Sequence, residues 1–258
     1  KIKNNTKFKN IYIQAAPGDA GGAIGAAFAS YYQNNKERRK FQMRHAYWGT
    51  SFNEDQILSC ITKNKENIEK QNCEYKNISN DNDLNKVVAK EIHDGKVVGW
   101  FQGKMEWGPR ALGNRSILGD PRRSDMKNIL NLKIKRRESF RPFAPSILRE
   151  HVSNWFENDD EVPFMMKVYQ IKEEKRTSIP AVTHIDGSGR LQTVYKETNK
   201  KYYDLINEFF KLTDVPILLN TSFNENEPIV NKPEEALDCF LRTKMDTLVI
   251  GNYILKRT

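Results

Sequence analysis

The apolar run Val97-Val98-Gly99-Trp100-Phe101 leads into Gly103-Lys104-Met105-Glu106-Trp107-Gly108-Pro109-Arg110-Ala111-Leu112-Gly113-Asn114-Arg115-Ser116-Ile117-Leu118, and few folds accommodate that succession. A short apolar run bounded by turn residues reads as a buried strand. The glycines and the proline after it break both helical and strand periodicity, so residues 103–118 are expected to leave the strand as a loop. Into that loop the sequence sets Lys104, Arg110 and Arg115. Glycine lets backbone amides approach an anion closely, while guanidinium and ammonium groups supply paired donors and point charges for phosphate or carboxylate oxygens. A phosphorylated ligand is the expected guest.

Lys133, Lys135, Arg136 and Arg137 repeat the theme and lead into Ser139-Phe140-Arg141-Pro142-Phe143-Ala144-Pro145-Ser146. A charge run alone reads as a solvated face. Arginines held between proline and phenylalanine differ, because ordering a long side chain costs roughly 2 kcal/mol unless a partner offsets it. An anion site is therefore the expected reading.

Two more segments have a similar character. In Thr183-His184-Ile185-Asp186-Gly187-Ser188-Gly189-Arg190, His184 and Asp186 alternate on an expected strand end, so Asp186 could orient the imidazole for acid–base work. His184 filling a polar hole beside a glycine turn fits the same residues. Arg190, directly after the turn, is expected to contact phosphate. Leu219-Asn220-Thr221-Ser222-Phe223-Asn224 leaves the carboxy end of the apolar strand Val215–Leu219, where α/β sheets bind their ligands.

Local patterns supply the other elements. Ile11–Ile13 reads as a short strand, and the turn Pro17-Gly18-Asp19-Ala20-Gly21-Gly22 opens an alanine-rich helix from about Ala23 to Tyr32. Strand, glycine turn and helix can present amides to a phosphate, and a tight packing turn has the same pattern. Helices are expected over Glu54–Ile61, capped by Ser51 or Asn53, over Leu84–Ile92, and after a Ser124 cap with Met126, Ile129, Leu130 and Ile134 on one face. Tyr202–Phe210 and the segment opened by Pro233 read as helices too. Residues 64–82 are poor in apolar side chains and are expected to run over the surface. Pro163–Ile171, Ile179–Thr183, Leu191–Val194 and Thr247–Ile250 complete the expected strands. Helices alternating with strands argue for a mixed α/β sheet.

The run Lys104–Leu118, the segment Phe140–Pro145, Thr183–Gly187 and Leu219–Asn224 together resemble the carboxy-terminal, YrdC-like domain of the NodU/TobZ family of O-carbamoyltransferases. Four separated motifs occur in the family's order, and the resemblance extends over essentially the whole chain. It implies an α/β (α+β) fold, a YrdC-like twisted mixed sheet with flanking helices, plus a small N-terminal remnant. Residues 1–50 would be the end of an actin-like carbamoyl-transfer domain, 51–82 a connector, and 83–258 the carbamoyl-adenylate-forming domain.

The implied chemistry is formation of carbamoyl-adenylate from ATP and carbamoyl phosphate, followed by transfer of the carbamoyl group to an acceptor hydroxyl on the actin-like domain. By motif position the nucleotide and carbamoyl contacts would be Lys104, Arg110, Arg115, Lys135, Arg141, Arg190, Asn220 and Ser222, with Lys135 and Arg141 catalytic. Lys104 departs from the arginine usual at its position and retains the charge. Asp19 corresponds to the aspartate of the family's Pro-Gly-Asp-Ala-Gly motif, which helps hold the metal and nucleotide. The resemblance thus implies Mg²⁺ with ATP, and Fe²⁺ or a similar divalent metal in the intact enzyme. No HxxxH occurs in this chain, so it is expected to bind nucleotide without carbamoylating an acceptor. Arg115 and Ser222 are expected to meet at one ligand, with Arg115→Ala weakening ATP binding and leaving the fold intact.

Net charge narrows the partners without choosing among them. At +9 and a pI near 9.3, the chain suits nucleotide, carbamoyl phosphate or RNA. An RNA-binding module and a non-catalytic structural domain therefore stand as alternatives. No apolar run approaches the roughly 18 residues of a membrane span, and Cys60, Cys73 and Cys239 show neither CxxC nor zinc-ligand spacing. A cytoplasmic protein without a disulfide framework is expected, with a homodimer allowed for. The polar start, without methionine or a signal-peptide core, suggests a fragment or processed chain.

Overall fold

The computed structural model describes residues 5–35 and 37–257, the Lys133 side chain excepted. Its centre is a nine-stranded mixed sheet of β1 (Cys73–Asn77), β2 (Val98–Phe101), β3 (Arg115–Gly119), β4 (Ala144–Leu148), β5 (Lys167–Gln170), β6 (Ser188–Val194), β7 (Ile217–Ser222), β8 (Thr247–Ile250) and β9 (Tyr253–Arg257). The spatial order is β1-β9-β8-β2-β3-β7-β4-β6-β5. The β8–β2 and β4–β6 pairs are parallel, and the other neighbours run antiparallel. Strands β2, β3, β4 and β8 are buried along their whole length. That explains their nearly continuous apolar sequence, since a strand covered on both faces has no need to alternate. The mixed α/β class is as expected.

The described residues include five helices of ten residues or more: α1 (Asp19–Asn34), α2 (Glu54–Lys63), α3 (Asp81–His93), α4 (Lys200–Thr213) and α5 (Pro233–Arg242). A reciprocal capping box between Asn53 and Gln56 starts α2. Leu84, Val88, Ala89 and Ile92 give α3 a buried stripe, which packs against α4 through Tyr202, Leu205, Ile206 and Phe209. Proline at the first position and Glu234 and Glu235 in the first turn suit the amino end of α5, which packs on α2, β2 and β8. No helix among the described residues is long and apolar enough to cross a membrane.

Several local expectations change in the three-dimensional context. Ile11–Ile13 forms no strand; Tyr12 instead bonds through its hydroxyl to Met43 O at 3.1 Å. Ile179–Thr183 is a turn, where Pro180 could not donate to a ladder. The segment expected over the surface, 64–82, contributes the short helix Lys65–Lys70 and edge strand β1, and buries Ile68 and Cys73 in the main core. Ser124 caps nothing: the following segment is a short α-turn, Met126–Asn128, continued by a π-turn, Ile129–Ile134. Strand β9, after the run expected to be last, pairs with both β8 and β1. Arg115–Leu118, read as the end of a loop, belongs to β3, antiparallel to β2. Residues 102–114 are therefore a long hairpin connection anchored at both ends.

Candidate functional site

That connection is organised by a buried carboxylate. Glu106 Oε1 accepts the backbone N–H groups of Leu112 and Asn114, each at 2.7 Å, and of Arg115 at 3.2 Å. Burial pushes the Glu106 pKa up, against the opposing pull of these amides and of Arg115. Two glycines permit the tight path. Gly108 has φ +111 and a Cβ there would come within 2.5 Å of Ala15 O; Gly113 has φ +105 and a Cβ would meet the Tyr202 ring at 2.2 Å. Nothing in the sequence marked Glu106 for this role, although a lone acid inside a glycine-rich cationic loop was the available signal.

Arg115 is the internal counterpart of Glu106. It is 0% exposed, and its guanidinium lies 3.7 Å from the centre of the Phe101 ring. Its terminal nitrogens donate to the carbonyls of Gln102 at 2.6 Å, Asn114 at 3.0 Å, Thr50 at 3.3 Å and Gly103 at 3.4 Å. Burial lowers its pKa to about 10, opposed by Glu106. The expected meeting of Arg115 and Ser222 does not occur. Ser116 is the cross-strand partner of Ser222, so the side chain of Arg115, one residue away, points to the other sheet face.

On the Ser222 face, side chains from two strands, together with Tyr47, pin the loop segment after Arg110. Asn220 Nδ2 donates to Ala111 O at 3.1 Å, and Gln192 Nε2 donates to Leu112 O at 2.8 Å. The hydroxyl of Tyr47 donates to the same Leu112 carbonyl at 2.9 Å. Beneath them Ser146 Oγ donates to Gln192 Oε1 at 2.6 Å, and Asn220 Nδ2 also reaches Gln192 Oε1 at 3.0 Å. Asn220 thus serves as a clamp on the loop, while its Oδ1 is buried without a partner among the described residues.

Above this polar floor, cations converge. Burial, followed by the charges of Arg110 and Arg137, lowers the pKa of Arg190 to about 10. The Nε atoms of Arg110 and Arg190 are buried with no protein partner among the described residues. Arg137 Nε donates to Asn131 Oδ1 at 2.7 Å, and its guanidinium carbon lies 5.0 Å from the Phe143 ring centre. Buried Asn131 also donates to Arg141 O at 3.0 Å, which ties the 131–141 turn together. Arg141 is exposed beside Arg137 and acts on it electrostatically. Like charges crowded together, with buried donors left open, carry a cost that a bound anion would offset.

Lys135 borders this cluster and is occupied internally. Its ammonium is bonded to Ser222 O, to Ser222 Oγ at 3.3 Å, and to Asn224 O and Oδ1, both at 2.7 Å. Burial, followed by Arg137, lowers its pKa from 10.5 to about 7. Between those values the unfolded chain holds a proton that the folded chain lacks. This group therefore makes stability rise with pH from about 7 to 10.5, and below about 7 its penalty is constant. Lys135→Met is expected to flatten that rise when urea midpoints are followed between about pH 6.5 and 9.5. An unchanged slope would mean that the four oxygens keep the ammonium charged throughout.

The remaining expected site residues lie elsewhere or have other roles. Lys104 is exposed on the loop and, after burial, helps lower the pKa of His45. Asp19 is exposed in the first turn of α1, and the described residues contain no group of three or more His, Cys, Asp or Glu that could hold a metal ion. His184 and Asp186 sit in a turn and do not share a strand face. The Ser188 hydroxyl stands between them, donating to Asp186 Oδ1 at 2.6 Å and lying 3.2 Å from His184 Nδ1. Cys239 is fully buried, and burial with Glu227 pushes its thiol up to about 12.

Comparison with known proteins adds a family. The carbamoyltransferase C-terminus model matches residues 89–257, and the carbamoyltransferase N-terminus model matches residues 1–28. An uncharacterized protein of Synechocystis sp. is 47% identical over an alignment covering 100% of this chain and 45% of that protein. Nodulation protein NolNO of Sinorhizobium fredii is 42% identical, with 100% and 37% covered. The chain thus spans less than half the length of these curated relatives. Among solved structures, Sua5 of P. abyssi complexed with L-threonine aligns with a TM-score of 0.49 at 12% identity, over 66% of this chain and 47% of that one.

Proposed function

The chain belongs to the carbamoyltransferase family, and from that premise we propose that its residues 83–258 form a YrdC-like domain that makes carbamoyl-adenylate from ATP and carbamoyl phosphate. Residues 1–50 would belong to the part that passes the carbamoyl group to an acceptor hydroxyl. One observation carries the reading: Arg110, Arg137 and Arg190 crowd together, and two of them hold buried Nε donors with no protein partner among the described residues.

In this reading carbamoyl phosphate is hydrolysed to carbamate and phosphate. A carbamate oxygen attacks the α-phosphorus of ATP, the bond to the bridging oxygen breaks, and pyrophosphate leaves with that electron pair. Such a reaction needs no protein nucleophile; it needs alignment and neutralisation of spreading negative charge. Arg110, Arg137 and Arg190 supply the charge, and Arg141, Lys135 and Ser222 border the same space. Asn220 supports it from below through Ala111 O. Mg²⁺ would accompany the triphosphate, held by phosphate oxygens.

The test is calorimetric titration with ATP and Mg²⁺, followed by an assay for pyrophosphate release. Binding is expected, together with pyrophosphate release that depends on carbamoyl phosphate. No ATP binding would overturn the reading. The net charge of +9 also favours RNA as a ligand. In that case losing one arginine should lower the salt slope of binding by about one unit and weaken binding only modestly.

A further inference from the structure

The geometry points to Gln192 as a positioning residue that sets the distance between Arg110 and Arg190, and so holds the anion site open for a phosphate group. The inference rests on the nucleotide-binding reading and adds the element that maintains the site. Strand β6 carries both Arg190 and Gln192, two residues apart and therefore on one face. Arg190 faces the cation cluster, whereas Gln192, only 2% exposed, bonds down the chain from Arg110. Its Nε2 donates to Leu112 O, and its Oε1 is fixed by Ser146 and Asn220. Both donors that reach Oε1 leave its amide one orientation, with the nitrogen toward the loop.

The clamp works against a defined force. Arg110 and Arg190 repel one another, and that repulsion is strongest while no anion lies between them. Left to itself, the loop would relieve it by lifting Arg110 from the sheet. The Gln192 bond, with Tyr47 on the same carbonyl, opposes that displacement, so the two guanidiniums are set before a phosphate arrives. Preorganisation of this kind raises affinity by removing an ordering cost from the binding step.

Gln192→Leu removes the donor and approximately keeps the volume. ATP affinity is expected to fall about tenfold, the scale of one hydrogen bond. If Gln192 acts through Arg110, that loss should largely vanish when Arg110→Ala is already present, because residues serving one contact are not additive. A full additional loss in the double variant overturns the inference. Hydrogen exchange of the Leu112 and Asn114 amides gives a readout independent of nucleotide. Both donate to Glu106, and both should exchange about tenfold faster in Gln192→Leu. Were the parent chain not to bind ATP, the proposed function would fail. The exchange rates would still decide the clamp: faster exchange supports it and unchanged exchange overturns it. If Gln192→Leu does not fold, Tyr47→Phe removes the second bond to Leu112 O and should shift exchange and affinity in the same direction.

Discussion

Arg190→Ala is expected to weaken ATP binding by about ten- to a hundredfold, corresponding to loss of a charge-assisted hydrogen bond worth roughly 1.5 to 3 kcal/mol. Thermal stability should stay level or rise. The two effects have one cause. Arg190 is a cation whose charged neighbours are Arg110 and Arg137, and its Nε is buried without a protein partner among the described residues. In the free protein it contributes repulsion and desolvation, both removed by the alanine. With a phosphate bound, the same features strengthen its attraction, because a desolvated guanidinium meets an anion without water competing. Calorimetry and thermal melts on one preparation would read both effects. A large fall in melting temperature with unchanged affinity would make Arg190 a structural residue and remove it from the site.

Arg115→Ala is expected to do the reverse: destabilise the fold by about 3 to 5 kcal/mol, a large part of the roughly 5 to 15 kcal/mol available to a domain. Alanine would leave Glu106 buried without its countercharge, strip donors from the carbonyls of Gln102, Gly103, Asn114 and Thr50, and empty the space over Phe101. ATP binding would then fall only in proportion to the folded fraction. Arg115→Lys should recover little, since one ammonium cannot span the carbonyls that a planar guanidinium reaches. Urea unfolding gives the answer: a midpoint equal to the parent's would show that the carbonyl cage contributes nothing. The expectation from sequence, a folded protein with weakened ATP binding, is the outcome this geometry argues against.

The contrast between these two arginines shows how far local reading reaches. Both lie within two residues of a glycine, in cationic loop motifs, and both read as phosphate ligands. Arg190 ends among cations above a polar floor, whereas Arg115 ends inside a cage of carbonyls on the opposite face of the β3–β7 pair. One residue of register separates Arg115 from the Ser222 face, and no local pattern reports which residue of β3 sits opposite Ser222. Lys135 follows the same rule. Its charge was legible, but its engagement with Ser222 and Asn224 depends on a contact across much of the sequence.

Legible in the chain alone were the mixed α/β class, the helices with a clear apolar stripe, the buried strands Val97–Phe101 and Thr247–Ile250, and the concentration of cations in loops. Those properties follow from side-chain periodicity, caps and turn residues, which act over a few residues and are written locally. Tertiary structure alone decided that β3 follows the glycine-rich loop, that residues 65–77 join the core and sheet, and that Glu106, Asn131 and Gln192 hold the loops. It also decided which arginine donors are left without a protein partner among the described residues. A guanidinium becomes a ligand group or a structural one according to the oxygens that surround it. Those oxygens are brought there by strand pairing between residues distant in sequence, which no short window contains.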